Sequence, residues 1–258
     1  MSKLSKENRF LDFSDYGRSI AKVIAKSLLN TPATPIHVTF GFLFIGLIAI
    51  YCILQEQFYV VAILLVLKSI IDAVDGELAR MRNTPSYSGR YLDSIFDLIL
   101  NFGFLYAIHT IGNTPLWMMF VAFIAIQLQG TVYNYYYTIL RNNLAGSDTT
   151  SRVKESSFPK AMEGESQKTV NFLYIIFKAL YGGFDFIIVN TDKDAQKLKK
   201  IPRWFMTLVS IYGLGFQLLL IGLLLSAGLK NYVIPIIIYY TAFIVLIILI
   251  RKIFLSIK

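Results

Sequence analysis

Asp72-Ala-Val-Asp75-Gly76-Glu77-Leu78-Ala79-Arg80 and, eight residues later, Gly89-Arg-Tyr-Leu-Asp93-Ser-Ile-Phe-Asp97 put four aspartates within 26 residues of a strongly apolar stretch. The runs that carry them, 58–80 and 91–112, are each near the ~20 residues that cross ~30 Å of hydrocarbon at ~1.5 Å per residue. An ionised carboxylate in that setting is costly, so it must face a protein cavity and find positive charge there. The chain does not fully supply that charge. A divalent metal site is the simplest answer.

Outward from this stretch the chain reads as a membrane protein. Of its 258 residues 55% are hydrophobic and 16% charged, with a mean hydropathy of +0.57, which excludes a soluble domain with a large core. Further apolar runs occupy 36–54, 116–140, 203–227 and 231–250, set off by Thr34-Pro35, Gly112-Asn113-Thr114-Pro115 and Pro202. The expected fold is all-α: a bundle of six membrane-crossing helices. A further segment, about 169–190, is interrupted by Lys178, Gly182-Gly183 and Asp185 and reads as interfacial or re-entrant. The whole chain, 1–258, reads as one membrane domain: an N-terminal cytoplasmic segment 1–33, then the bundle 34–258 with its cytoplasmic loop 142–202. No cleavable signal peptide is expected in the polar, basic residues 1–30, and the single Cys52 rules out a disulfide within the chain.

Charge sets the orientation. With six crossings, 23 of the 25 Lys and Arg lie on one side; Lys230 lies opposite and Lys68 within a run. The positive-inside rule then places both termini in the cytoplasm of a multi-pass protein, in the inner membrane if the cell is bacterial. The +9 net charge therefore follows topology, and no nucleic-acid partner is expected. Residues 14–30 set Arg18, Lys22 and Lys26 against Ile20, Val23, Ile24 and Leu28, the pattern of an amphipathic helix on an anionic leaflet.

Asp72 and Asp75 share one helix face with Ala79, and Asp93 and Asp97 are i, i+4 neighbours in the first turns of the next helix. The short 81–90 connection makes the two helices antiparallel and brings both pairs to similar depth. Four hard oxygen ligands favour Mg²⁺ or Mn²⁺ over zinc, and four carboxylates balance two divalent cations. Two such ions clamp a phosphoryl group, and Arg80 offers a fork suited to a diphosphate. Gly76 and Gly89 allow either close helix packing or approach of a flat ring or diphosphate to the backbone.

The pattern Asp72-x2-Asp75-Gly76-x2-Ala79-Arg80-x8-Gly89-x3-Asp93-x3-Asp97 matches the signature of the CDP-alcohol phosphotransferase family at all eight fixed positions. The six runs with a leading amphipathic helix also resemble the architecture of that family. The resemblance implies that Asp72, Asp75, Asp93 and Asp97 bind two divalent cations. It further implies that Asp97 takes the proton of an acceptor hydroxyl, which attacks the β-phosphate of a CDP-alcohol, with CDP-diacylglycerol foremost, and releases CMP. Gly76, Ala79, Arg80 and Gly89 then hold the CDP moiety, and a homodimer is plausible. The chain departs from the family at Ile36, where Asn commonly follows Thr-Pro, and in its longer stretch before the fifth run.

Among the remaining residues, Lys68 reads as a partner of Asp72 without metal, an acceptor contact or a plain cavity lining. Arg141, Arg152, Lys154, Lys160, Lys168 and Arg203 lie where relatives hold an acceptor phosphate, or carry ordinary positive-inside charge; Arg141 and Arg203 flank runs and are the better candidates. Tyr133, Tyr135, Tyr136 and Tyr137 read as an aromatic belt, His37 and His109 as packing residues, and Glu77 as a variable position without a role. Besides the lipid-synthetic transferase, a divalent-cation transporter or channel with intramembrane carboxylates also fits these residues.

Overall fold

The computed structural model describes residues 9–143, 152–153 and 157–255. Lys154 lies outside them. The described residues are all-helical: α1 (Arg18–Leu28), α2 (Pro35–Leu54), α3 (Phe58–Met81), α4 (Tyr87–Ile111), α5 (Leu116–Asn142), α6 (Gln167–Thr191), α7 (Arg203–Val209), α8 (Leu214–Ser226), α9 (Val233–Thr241) and α10 (Phe243–Phe254).

Local chemistry explains where α2 and α4 begin. Thr34 caps α2 by accepting from the His37 amide, and the His37 ring accepts in return from the Thr34 amide, with Pro35 at the first helical position. His37 is thus a capping residue rather than a packing one. Ser86 caps α4 by accepting from the Gly89 amide at 2.8 Å. The helix therefore starts at Tyr87, one turn before the apolar run, and Asp93 and Asp97 sit beyond its first turn.

Among the described residues five helices are long and apolar enough to cross a membrane: α2, α4, α5, α6 and the Lys230–Phe254 stretch holding α9 and α10. The bent pair α7 and α8 makes a sixth. At 24 residues α3 is also long enough, and only Lys68, Asp72, Asp75, Glu77 and Arg80 set it apart.

Length alone does not make α6 a crossing. Its first half packs on the start of α4, with Tyr174 and Phe177 against Tyr91 and the Tyr181 hydroxyl donating to the Ser94 carbonyl at 2.8 Å. Asp192, which follows its last residue, accepts from Tyr135 and Tyr136 near the end of α5. The 112–115 turn joins α4 and α5 at the far end, so the start of α4 and the end of α5 lie together. Both ends of α6 are held at that same end. That leaves α2, α3, α4, α5, α7–α8 and α9–α10 to run between the two ends of the bundle, while α6 is a continuous helix that Gly182-Gly183 does not break.

The core forms where the crossings meet, around Phe42, Leu65, Leu100, Phe104, Met119, Leu218 and Ile234. Gly46 and Gly222 permit this approach: a Cβ at Gly46 meets Leu100 at 2.5 Å, and one at Gly222 meets the Ala62 Cα at 3.1 Å. At the far end, Lys230 pairs with Glu56 at 2.7 Å, and Asn231 accepts from the Asn113 amide at 3.1 Å.

The 203–227 run, expected to be one helix, is bent by 51° between α7 and α8. The segment before α1 fills the bend. The Phe13 amide donates to the Ser210 hydroxyl at 3.0 Å, and Ser14 lies against Gly213 and Gly215, where a Cβ on Gly215 would stand 2.0 Å from its carbonyl oxygen. The Tyr240 hydroxyl caps the Ile211 carbonyl at 3.2 Å, satisfying a group the break releases.

α1 forms as the amphipathic pattern predicts, but Ala21 and Ala25 pack it against α3 while Ile20 and Val23 stay exposed. Arg18 turns inward, to Asp15 and Glu77, and not to a leaflet. Arg82 holds the other end of α1, donating to the carbonyls of Leu28, Leu29, Thr31 and Ala33 at 2.6–3.0 Å.

Candidate active site

The antiparallel ends of α3 and α4 bring Asp72, Asp75 and Asp93 together, each offering a carboxylate oxygen within 4.8 Å of the others. Thr39, from α2, donates its hydroxyl to Asp75 Oδ2 at 2.7 Å. Asp93 Oδ1 is buried with no hydrogen-bond partner among the described residues. Three carboxylates converging in a partly buried space repel one another unless a cation lies between them. An orphaned buried acceptor in the same place has the same need. The residues present fit a divalent cation, and the all-oxygen donor set suits a hard one.

Asp97 is not in this group. It forms an ion pair with Lys68, which also stands 3.6 Å from Asp72 Oδ2 and 4.5 Å from the centre of the Phe42 ring. Of the four aspartates expected as ligands, three gather and the fourth is held by a lysine one turn before Asp72. Lys68 therefore faces the carboxylates in the core, whereas the sequence also allowed a cavity lining.

Around the trio, Gly76 leaves room for the Arg80 side chain, whose Nη1 would lie 3.2 Å from a Cβ there. Arg80 pairs with Glu77 Oε1 at 3.0 Å, and Arg18 reaches the same oxygen at 2.6 Å. Glu77, fully buried, is the residue that sequence reasoning passed over. Its signal was present as an i, i+3 carboxylate to Arg80 in the motif itself. Ala79 and Gly89 are half-buried at the same end.

Glu165 was also missed. Its carboxylate accepts from the Ser86 hydroxyl and the Tyr87, Ser88 and Met162 amides at 2.7–3.1 Å, closing the first turn of α4. Burial pushes this carboxyl up, but the bonds from Ser88, Ser86 and Tyr87 outweigh it and hold it below its ordinary range.

Arg141, at the end of α5, lies within electrostatic reach of Arg80, Arg18 and Arg90. Arg203 stands exposed at the first residue of α7, outside this group. The tyrosines do not form a belt. Tyr136 is 0% exposed and Tyr135 4%, both bonded to Asp192, and Tyr133 donates to Asp12. Their hydroxyls have internal acceptors that lie far off in sequence. The His109 ring nitrogen meets the Thr114 carbonyl at 2.8 Å, steadying the turn that follows.

Fold and site define an integral-membrane helical bundle with a carboxylate-lined, arginine-flanked polar site at one end. The chain belongs to the CDP-alcohol phosphatidyltransferase family, whose profile matches residues 33–255. It is similar to the bifunctional IPC transferase and DIPP synthase of Thermococcus kodakarensis, 34% identical over 151 residues, which are 58% of this chain and 33% of that relative. The chain thus spans about a third of the length of that protein. No solved structure matches it significantly.

Proposed function

We propose that this chain transfers a phosphatidyl or other phospho-alcohol group from a CDP-alcohol, with CDP-diacylglycerol as the donor, to a hydroxyl acceptor, releasing CMP in phospholipid synthesis. The observation that carries this reading is the Asp72–Asp75–Asp93 cluster, set at one bundle end between Gly76, Ala79, Arg80 and Gly89. Family membership and the transferase and synthase named in the relative support it.

In this reading Asp72, Asp75 and Asp93 hold divalent cation, Mg²⁺ or Mn²⁺. A cation held there would supply positive charge to neutralise the donor diphosphate and polarise its phosphorus. Gly76, Ala79 and Gly89 leave the backbone open to the nucleotide, and Arg80 offers its fork to the diphosphate. The acceptor oxygen bonds to the β-phosphorus as the bond from that phosphorus to the CMP oxygen breaks. Asp97 takes the acceptor proton, and Lys68 orients its carboxylate. Arg141, within reach of Arg18, Arg80 and Arg90, provides the positive surface for a phosphorylated acceptor; Arg203 has a weaker claim. The side carrying 23 of the 25 Lys and Arg faces the cytoplasm, where soluble nucleotide arrives while the lipid tail stays in the bilayer.

The test is CMP release from CDP-diacylglycerol by the purified chain, with a panel of alcohols and phosphorylated alcohols, with and without Mg²⁺ or Mn²⁺. Metal-dependent CMP and a matching lipid product are expected. Mn²⁺ uptake into vesicles with no CMP from any donor would establish the transporter reading instead.

A further inference from the structure

Lys68 lies in the middle of α3 and is 1% exposed. An ammonium at that depth persists only with negative partners. It has an ion pair to Asp97, Asp72 Oδ2 at 3.6 Å, and the face of the Phe42 ring at 4.5 Å. Its side chain has almost no solvent-facing surface to retreat to, and no other carboxylate forms an ion pair with it among the described residues. The four aspartates therefore divide into a trio that shares one space and a single carboxylate that already carries a cation.

We propose that Lys68 is the resident second cation of this site, so that the chain takes one divalent ion in the Asp72–Asp75–Asp93 cradle where its carboxylate count allows two. The inference rests on the metal reading of the trio. A second divalent ion on Asp97 would have to share that carboxylate with a buried ammonium, and like charges confined in a space of low dielectric repel strongly. Lys68 also bridges the two groups, because it stands near Asp72 of the trio while paired to Asp97. It couples the metal cradle to the carboxylate assigned the acceptor proton, as a second ion would.

The experiment counts Mn²⁺ on the purified full chain in detergent, using electron paramagnetic resonance to separate free from bound ion. Wild type is expected to bind one Mn²⁺ per chain, Lys68→Arg one and Lys68→Met two, the second appearing with the dipolar broadening of a neighbouring pair. Two Mn²⁺ on wild type, or one on a folded Lys68→Met variant, overturns the role of Lys68 and leaves the metal reading standing. No Mn²⁺ on wild type removes the metal reading itself, and this inference with it. Should Lys68→Met not fold, the wild-type and Lys68→Arg counts decide.

Discussion

Glu77 Oε1 accepts from Arg18 at 2.6 Å, an ion pair that ties the amphipathic helix α1 to the helix carrying the metal cradle. The same oxygen serves Arg80. Removing one partner of a buried pair leaves the other charges uncompensated, at a cost of about 3–5 kcal/mol. Here Arg18 and Arg80 keep 21% and 25% of their side chains exposed, so Glu77→Ala is expected to fall at or below about 3 kcal/mol. Thermal unfolding in detergent measures this. A smaller loss in Glu77→Ala with Arg18→Ala would show that the pair is coupled, and purely additive losses would show that it is not.

Asp97 and Asp75 should fail differently. Asp97→Asn keeps the shape and removes the base, so turnover should drop by about 10²–10⁴-fold while nucleotide binding persists. Asp75→Ala opens the cradle and should weaken Mn²⁺ binding and activity together. Near-normal turnover in Asp97→Asn, or an unchanged Mn²⁺ titration in Asp75→Ala, would contradict these assignments.

Glu165 predicts a pH dependence. Its carboxyl is held below its ordinary range in the fold, so its contribution is present above the unfolded value of about 4.3 and disappears as pH falls through the folded value. Glu165→Gln loses acceptor capacity for two of the four donors now served. The variant should be less stable than wild type at pH 7, and the gap should close as the pH falls below about 4. Unfolding midpoints across a pH series measure it, and a gap independent of pH would count against the assignment.

Gly215→Ala sets a Cβ 2.0 Å from the Ser14 carbonyl and 2.9 Å from the Ser69 hydroxyl, and backbone cannot yield there as a flexible side chain would. Overpacking of this kind costs about 1–3 kcal/mol. The segment before α1 should leave the bend, and hydrogen exchange at the Phe13 amide should rise. Unchanged protection at that amide would mean the contact holds nothing in place.

The crossings were legible because each apolar run approximates the membrane thickness and the Lys and Arg segregate by side. The trio was legible because i, i+3 spacing on one helix and a short turn to the next determine which carboxylates meet. The separation of Asp97 was not, because its partner is set by how α3 and α4 pack across 29 residues. The break at Gly213 was not legible, because Ser14, which lies against Gly213 and Gly215, stands about two hundred residues earlier. Tyr135 and Tyr136 read as a belt because Asp192, 56–57 residues on, becomes their neighbour only when α6 folds back along the bundle end.

The Phe13–Ser210 hydrogen bond spans 197 residues. At about 5–20 residues per second of synthesis, the segment before α1 emerges roughly 10–40 s before the partner it fits. Residues 10–16 must therefore wait beside α1 while the helices between them and Ser210 are inserted. The bend between α7 and α8 cannot be filled until its own crossing is laid down, which makes this contact among the last to close and a direct reporter of completed assembly.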